Sequence, residues 1–566
     1  MDCCQKAEKS TKPQCGDVKT GLQKSFATIL FGSTRDDYTW AGPRVLGTLQ
    51  LSEKWFQRDD IGILPMNVLH RSIFFSAVER YGSLFFFLVS TGFLARLLTP
   101  AEFGIYALIN ALTAVAAASF QEFGGANYLI QKHSLSEQNI RTAFTVTFCL
   151  SALFAVVLFE FRDAAAWFFS EEGLKIGIAV SALNFILSPF LMTISALLRR
   201  DMAFGVLARC SLIGTFVTAV LSVVLAFLGY SFMAPILGTL VGNAVVVALL
   251  IARWGDLRIF LPSIGGYRDV IGFGAYSTST VIINVFYNMA PQFILARILD
   301  FTAVGLYGRA INVTQVFEKF VIQVLNPVIM PAIFAQIRTG GDLKRIYLNS
   351  IELISALQWP FLITFAILAD QIISLWFGPT WIEIVPLIRL LCLASLSLFA
   401  ACLTYPVLVA AGRVGDTLTS SLISLPPSLL VVFVASFFGV QAVAASAFLT
   451  LPFQAIVALY FVSKHLAISP ADLYRATLKS GVVTLCSIAG ALLSIGIAEF
   501  GSIGPILQVL LGGLFATTGW ILGLIVSKHP LLNQIRTAAG GITAAAPWLS
   551  VFGQTAIVSR LGEKTP

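Results

Sequence analysis

Long apolar stretches separated by short polar breaks make up most of the chain. From about Ser72 onward, apolar runs of roughly 18 to 25 residues follow one another. A helix rises 1.5 Å per residue, so about 20 residues cross the ~30 Å hydrocarbon layer of a bilayer. The pattern predicts fourteen membrane-spanning helices, at 72–94, 104–121, 141–159, 176–197, 207–228, 231–252, 270–295, 303–330, 349–369, 383–410, 417–438, 441–462, 478–498 and 504–526.

Composition agrees with this pattern. Hydrophobic residues make up 57% of the chain, and Asp, Glu, Lys and Arg together only 12%. Soluble domains carry about twice that charged fraction. A secreted disulfide scaffold, a nucleic-acid-binding protein and an ordinary cytosolic enzyme are therefore excluded. The eight cysteines show no CxxC spacing and have no nearby histidine, so we expect no metal site and no cofactor.

The ends of the chain differ from the apolar region. Residues 1–70 are polar, without periodicity or a signal-peptide pattern, and we predict a disordered cytoplasmic extension. A translation start at Met66 is an alternative interpretation. We predict a first six-helix lobe at 71–268, a second at 269–465, a C-terminal helix pair at 466–530 and a cytoplasmic tail at 531–566.

The distribution of basic residues predicts the orientation in the membrane. With a cytoplasmic N-terminus, the cytoplasmic loops hold fifteen Lys and Arg residues, including Arg199 and Arg200, and the outer loops hold four, including Arg96. Cytoplasmic loops of membrane proteins carry such an excess. We therefore predict an inner-membrane protein with both termini in the cytoplasm.

One short motif occurs twice. Leu94-Ala95-Arg96-Leu97-Leu98 with Phe103-Gly104-Ile105-Tyr106 recurs 201 residues later as Leu295-Ala296-Arg297-Ile298-Leu299 with Val304-Gly305-Leu306-Tyr307. The hairpin breaks at Gly229 and Gly439 show a similar offset. Six helices separate the copies, so the two repeats have the same orientation. Parallel repeats of this kind are typical of transporters that bind their substrate between two lobes.

These motifs resemble a known family. The sequence from Arg96 to Gln131, Ala196–Phe204 and Val304–Ala310 are similar to bacterial polysaccharide exporters, in the polysaccharide transporter branch of the multidrug/oligosaccharidyl-lipid/polysaccharide superfamily. That branch contains the O-antigen flippases. The resemblance implies twelve to fourteen helices in two lobes. It also implies transfer of an undecaprenyl-diphosphate-linked oligosaccharide between leaflets. Related proteins often have an acid near 288–291, where this chain has Asn288-Met289-Ala290-Pro291.

Charged and amide side chains inside the predicted spans are the candidate site residues. A charge at mid-membrane costs about 2.5–3.5 kcal/mol on insertion scales, so each should line a cavity or have a partner. We expect a substrate-binding cavity and two carboxylates that could couple transport to protons. The cavity candidates are Arg309, Lys319, Arg80, Arg389, Asn312, Gln315, Gln323, Asn284, Asn288 and Tyr276, and the carboxylates are Glu79 and Glu318. A structural role in helix–helix ion pairs is the alternative for the charged residues.

The combined prediction is an all-α, two-lobed exporter with an anionic, lipid-linked glycan as its substrate. It would work by alternating access in exopolysaccharide (succinoglycan-like) or lipopolysaccharide biosynthesis. Partners would be membrane lipids and a polysaccharide polymerase and co-polymerase, but no nucleic acid. A multidrug antiporter is one alternative, although paired cations favour anionic cargo. A membrane polymerase, ligase or glycosyltransferase is another, but we find no nucleophile–base arrangement in the sequence.

Overall fold

The computed structural model describes residues 68–121, 125–132, 135–319, 342–411, 413–501 and 504–540. All regular elements in these ranges are helical, as predicted. The α-helices, numbered in chain order, are α1 (Val68–Leu97), α2 (Pro100–Gln121), α3 (Ala126–Gln131), α4 (Glu137–Phe169), α5 (Gly173–Arg200), α6 (Phe204–Phe227), α7 (Met233–Trp254), α8 (Tyr267–Ile298), α9 (Phe301–Thr314), α10 (Leu343–Ile367), α11 (Ala369–Trp376), α12 (Ile384–Ser395), α13 (Thr404–Ala410), α14 (Val414–Ser436), α15 (Val440–Leu466), α16 (Pro470–Gly501), α17 (Pro505–Val526) and α18 (Pro530–Gly540).

Every predicted span overlaps a helix of the described residues. Twelve helical spans there are long and apolar enough to cross a membrane. The other two predicted spans correspond to α1, which carries the charged pair Glu79 and Arg80, and to α9, whose regular part is 14 residues long. The count of fourteen therefore stays a prediction. The predicted N-terminal extension, as far as residue 67, and the part of the predicted tail beyond residue 540 lie outside the described residues.

Two predicted element boundaries are corrected by the structure. The sequence places an outer loop at 160–175, but α4 continues to Phe169 and only a three-residue turn separates it from α5. The predicted span 383–410 is not one α-helix. Its middle, Leu396–Leu403, is a 3₁₀-helix between α12 and α13.

Glycines make the predicted hairpins possible. Gly229 and Gly439 have φ angles of 85° and 100°, in the left-handed region. A side chain is unfavourable there, whereas glycine adopts this conformation freely. α6 packs against α7 and α14 against α15 across these turns.

The duplicated motifs contact each other. A Cβ atom on Gly104 of α2 would lie 1.8 Å from the carbonyl oxygen of Phe301, and one on Gly305 of α9 would lie 1.9 Å from that of Pro100. The two contacts are related by the 201-residue offset of the sequence repeat. Helices α2 and α9 therefore meet reciprocally near their first turns. We call this the Arg96 end of the bundle, and the opposite one the Arg199 end.

Polar side chains cap both helices at this contact. Thr99 and Glu102 bond each other's backbone N–H groups, with Thr99 N–H to Glu102 Oε2 at 2.7 Å, which is a capping box for α2. The backbone N–H of Ala303 donates to Asp300 Oδ1 at 2.7 Å and caps α9. The repeat thus preserves the helix start as well as the close glycine contact.

The C-terminal helices pack on α10 through side-chain hydrogen bonds. Ser355 Oγ donates to Ser480 Oγ at 2.9 Å, and Ser480 Oγ lies 3.4 Å from His529 Nε2. The Trp520 indole N–H donates to the carbonyl of Ala356 at 2.8 Å.

His529 lies between α17 and α18, beyond the span of α17, and its side chain is buried. Burial, with a smaller contribution from the positive charge of Lys479, lowers the pKa of His529 to about 4.

Candidate functional site

A cavity of about 620 Å³ opens between seven helices. Its lining comes from α1, α2, α5, α6, α7, α8 and α9, so both copies of the sequence repeat contribute. The volume is in the range of small-molecule binding pockets in proteins. Among the described lining residues, Arg309 is the only charged one.

Aromatic rings enclose Arg309. Its guanidinium carbon lies 3.5 Å from the ring centroid of Phe103, 5.6 Å from that of Phe377 and 5.8 Å from that of Trp381. Cation–π attraction stabilises a desolvated guanidinium in such a position. The residue is only 7% exposed, and within the described chain its Nε atom has no hydrogen-bond partner and it forms no ion pair with a carboxylate. Arg309 is therefore a buried cation whose charge the described residues do not neutralise.

Two of these rings belong to the segment 369–381, which we call the latch segment. It contains α11 and the short 3₁₀-helix Pro379–Trp381. Its indoles bond to carbonyl groups of α1, from Trp376 to Leu88 at 3.1 Å and from Trp381 to Ala95 at 2.6 Å. Gly92 permits this approach, because a Cβ there would lie 2.7 Å from the Trp376 ring. The latch segment thus covers the Arg96 end next to Arg309.

Lys319 lies beside the same cavity. Its Nζ donates to Asn312 Oδ1 at 3.2 Å and lies 5.0 Å from the ring centroid of Phe87, and both partners line the cavity. The regular helix ends at Thr314, whose hydroxyl bonds to the carbonyl of Ala310. Such bonds compete with the helical pattern and often bend helices. The predicted helix 303–330 is therefore broken at Gln315 and continues as helical turns at 316–319, where the description of this segment ends, and Arg309, Asn312 and Lys319 are brought together.

Hydroxyl and amide groups of α5, α6 and α7 form another part of the lining. We call this surface the hydroxyl–amide wall; it consists of Asn184, Thr215, Thr218, Ser222, Thr239 and Asn243. Asn243 Nδ2 donates to Asn184 Oδ1 at 3.0 Å and joins α7 to α5. Thr215 and Thr239 donate to backbone carbonyls of their own helices, at 2.9 Å and 2.8 Å. The wall is polar but uncharged.

The other predicted site residues are distributed differently. Arg389 forms an ion pair with Asp370 and is half exposed, outside the cavity lining. This is the structural ion-pair role that the sequence left open. Gln315, Glu318, Glu79, Arg80, Asn284 and Asn288 also lie outside the lining. The backbone of Tyr276 belongs to α8, but its side chain, like all of Gln323, lies outside the described residues.

The sequence interpretation missed the hydroxyl–amide wall and Gln292. Gln292 lines the cavity from α8, and its buried Oε1 has no partner in the described part of the chain. It follows Pro291, which lies inside α8. Proline removes a helical hydrogen bond. A proline beside an amide residue in a predicted span was therefore the sequence feature that could have identified Gln292.

No group of three His, Cys, Asp or Glu residues that could hold a metal occurs within the described ranges.

The fold and the cavity define an all-helical, multi-pass membrane protein whose two sequence repeats both line a cavity that contains polar groups and one buried cation. The profile of the family described as "Polysaccharide biosynthesis protein" matches residues 93–386, which is more than half of the chain. The chain belongs to this family.

Curated relatives support the assignment. The chain is 27% identical over 317 residues to the lipopolysaccharide biosynthesis protein WzxC of Escherichia coli, covering 55% of this chain and 63% of the relative. It is 24% identical to the succinoglycan biosynthesis transport protein ExoT of Rhizobium meliloti, covering 61% and 69%. The teichuronic acid biosynthesis protein TuaB of Bacillus subtilis is 20% identical, covering 51% and 60%. The chain spans about three fifths of the length of the first curated relatives that it matches.

Solved structures share the fold at low sequence identity. The lipid II flippase MurJ in an inward closed conformation matches 80% of this chain and 99% of its own, with a TM-score of 0.63 and 11% identity. An inward-facing multidrug resistance transporter of the MATE family matches 68% and 94%, with a TM-score of 0.56 and 13% identity. The predicted superfamily fold is confirmed.

Proposed function

We propose that the protein moves a polyprenyl-diphosphate-linked oligosaccharide across the bacterial inner membrane for polysaccharide biosynthesis. The undecaprenyl lipid is the carrier expected from the family resemblance. The roles of the relatives WzxC and ExoT, in lipopolysaccharide and succinoglycan biosynthesis, support this substrate class. So does the fold shared with a lipid II flippase.

One observation carries the proposal, namely the buried Arg309 at the cavity. Burying a cation without a counter-charge is unfavourable, so its site favours an anionic ligand. A guanidinium binds phosphate oxygens through two parallel N–H donors. The diphosphate of a lipid-linked sugar supplies such oxygens, and Lys319 would add a second positive charge near the same cavity.

The polar lining suits the sugar part of the substrate. Hydroxyl and amide groups of the hydroxyl–amide wall match the donors and acceptors of sugar rings. The lipid tail would stay in the bilayer between helices. A multidrug antiporter with cationic cargo is less compatible with this cavity, because Arg309 is the only charge in its described lining.

Alternating access between two lobes would carry the headgroup across the membrane. The described conformation has α2 and α9 in close contact at the Arg96 end, with the latch segment over it. If the Arg96 end is periplasmic, as the basic loops predict, substrate enters from the cytoplasmic leaflet. The membrane potential would then drive an anion outward, at about 2.3 kcal/mol per charge per 100 mV. Proton uptake at Glu79 or Glu318 is a second component of this coupling proposal.

Transport into proteoliposomes tests the proposal. The substrate is a fluorescent undecaprenyl-diphosphate oligosaccharide, and the readout is its protection from a glycosidase added outside. We expect Arg309→Ala to reduce transport at least tenfold and Arg309→Lys to restore part of it. Arg162→Ala is the matched control, since Arg162 also stacks on a phenylalanine, Phe159, at 3.8 Å, but on the exposed end of α4.

Two results would contradict the proposal. Normal transport by the Arg309→Ala protein would remove the cation from the substrate site. Transport of a lipophilic cation, without transport of the lipid-linked oligosaccharide, would favour the antiporter alternative. Equal losses in the Arg309 and Arg162 variants would indicate a general effect on folding.

A further inference from the structure

The repeated Leu-Ala-Arg motif places one cation of each repeat at the Arg96 end. Arg96 lies in the last turn of α1, and Arg297, 201 residues later, lies in the last turn of α8. Both side chains are exposed, and within the described chain neither forms an ion pair with a carboxylate. Three other cations of this end, Arg162, Lys175 and Arg389, do pair with carboxylates. The proposed substrate site uses neither member of the motif pair.

Each of the two cations contacts the opposite repeat. Arg96 Nη2 donates to the carbonyl of Leu375 in the latch segment at 2.6 Å, so α1 of the first repeat is joined to the second. The guanidinium carbon of Arg297 lies 5.3 Å from the ring centroid of Phe168, so α8 of the second repeat contacts the end of α4 in the first. We call these the Arg96 contact and the Arg297 contact. They connect the repeats in opposite directions.

The segments that receive these cations are themselves equivalent in the repeat. Phe168-Phe169-Ser170 at the end of α4 corresponds to Trp376-Phe377-Gly378 at the end of α11, with an offset of 208 residues. Ser170 and Gly378 have positive φ angles of 55° and 93°, and the phenylalanine before each is buried. Both segments form the turn between the third and fourth predicted spans of a repeat. The duplication thus preserves the cation and the turn that it contacts.

The two contacts differ in strength. Beside the Arg96 contact, the indoles of Trp376 and Trp381 add hydrogen bonds to α1. The position equivalent to Trp381 in the first repeat is Gly173, and Arg297 forms no hydrogen bond within the described chain. A hydrogen bond from a charged donor is stronger than a cation–π contact at an exposed site. The Arg96 contact therefore contributes more to keeping this end closed.

We propose that Arg96 and Arg297 hold the two repeats together at the Arg96 end, with the Arg96 contact as the stronger one, and that both contacts break when this end opens. The inference rests on the alternating access of the proposed function, but not on its substrate. Because both cations are exposed, water replaces the lost carbonyl or ring when the repeats separate. Such contacts suit a closure that is broken and remade in every transport cycle.

Distance measurements on the full-length protein in nanodiscs, without substrate, test the inference. Spin labels are attached through cysteines at Tyr230 and Phe438, which are exposed in the equivalent hairpins of the two repeats. Double electron–electron resonance then gives the ratio of the long-distance to the short-distance population. The variants are Arg96→Gln and Arg297→Gln, in which the charge is removed and the side chain is shortened.

The matched control is Arg162→Gln. Arg162 also stacks on a phenylalanine at this end, with its guanidinium carbon 3.8 Å from the ring centroid of Phe159, but both residues belong to α4. This contact does not connect the repeats. We therefore expect the control to have the distance distribution of the wild type.

We expect Arg96→Gln to raise the ratio of the two populations about tenfold or more, because a hydrogen bond from a charged donor is lost. Arg297→Gln should raise it about twofold to fivefold, which corresponds to the loss of an exposed cation–π contact. Phe168→Leu should match Arg297→Gln. Combining Phe168→Leu with Arg297→Gln should give no further increase, since both changes remove the same contact.

An unchanged distribution in the Arg96→Gln protein would overturn the inference, as would a larger effect of Arg297→Gln or an equal effect of Arg162→Gln. A single short distance in every variant would contradict alternating access at this end and the inference with it. The measurement uses no substrate, so it is independent of the Arg309 test. If Arg309→Ala transports normally, the proposed substrate site is wrong, whereas a shift in Arg96→Gln still supports the inference.

Discussion

The reciprocal glycine contact between α2 and α9 yields a quantitative prediction. Replacing Gly104 by alanine would place a methyl carbon 1.8 Å from the carbonyl oxygen of Phe301. Carbon and carbonyl oxygen atoms come no closer than about 3.3 Å in ordinary contacts. The first turns of α2 and α9 would therefore have to separate by roughly 1.5 Å. The obstacle is backbone and cannot rotate away.

The size of the effect follows from the cost of overpacking. Extra methyl groups in packed interiors cost about 1–3 kcal/mol. If the close contact exists in only one of two conformations, that conformation alone is destabilised. The ratio of the two populations would then shift roughly 5-fold to 150-fold away from the described one. Gly305→Ala should act in the same way, because its methyl group would lie 1.9 Å from the carbonyl oxygen of Pro100.

Distance measurements between two hairpin loops report this shift. Tyr230 and Phe438 are exposed residues in the equivalent hairpins of the two repeats, at the Arg96 end. Spin labels attached there through cysteines, in a chain otherwise free of cysteine, should show a larger long-distance population in the Gly104→Ala protein. Double electron–electron resonance in nanodiscs gives the distance distribution.

Gly308→Ala provides the control on the same helix. Its methyl group would lie 3.8 Å from the Cβ of Ala107, an ordinary contact. We expect its distance distribution to match the wild type. An unchanged distribution in both Gly104→Ala and Gly305→Ala would refute the reasoning. An identical change in Gly308→Ala would show that alanine acts on the helix in general, not through the contact.

Three further predictions concern single side chains. Trp381→Phe removes the indole bond to α1 and should raise the long-distance population about fivefold, from the loss of about 1 kcal/mol, in the same resonance experiment. Gln292→Leu removes a buried acceptor that has no partner in the described chain, so we expect a melting temperature a few degrees higher and slower transport; a lower melting temperature would contradict this. His529 has a pKa of about 4 in the fold against 6.5 ordinarily, so an undocked segment takes up a proton first as the pH falls below 6.5. Docking of α18 should lose about 2 kcal/mol between pH 7.5 and pH 5, so the hydrogen-exchange protection factors of residues 530–536, which correct for the slower intrinsic exchange at low pH, should fall roughly thirtyfold. The protection factors of a His529→Gln protein should not fall in this way.

The sequence predicts most of the fold because its signals are local. Apolar run length gives the helices, and the glycines at 229 and 439 give the turns, since a positive φ needs no information from distant residues. The repeat predicts equivalent positions for Gly104 and Gly305. The direct contact between the two glycines is a tertiary interaction, which the sequence repeat alone does not predict.

The site was predicted in part for a related reason. Buried charge is conspicuous in an apolar sequence, so Arg309 and Lys319 were found. Arg389 was predicted for the same reason. However, Asp370 of α11 is close to it in the chain and forms an ion pair with it, so the two charges neutralise each other. Threonines in membrane helices commonly bond to their own backbone, as Thr239 does. Their sequence therefore does not show whether they also face a cavity.

The latch segment has a consequence for how tightly an anion is held. Phe377 and Trp381 lie beside the Arg309 guanidinium, and the indole of Trp381 also fastens the segment to α1. Detaching the segment from α1 therefore removes two of the three rings that shield the guanidinium from water. Water weakens a charge interaction many-fold relative to a protein interior. Opening of the Arg96 end and weaker binding of a phosphate by Arg309 would therefore occur together. Release of the substrate would then need no separate conformational change.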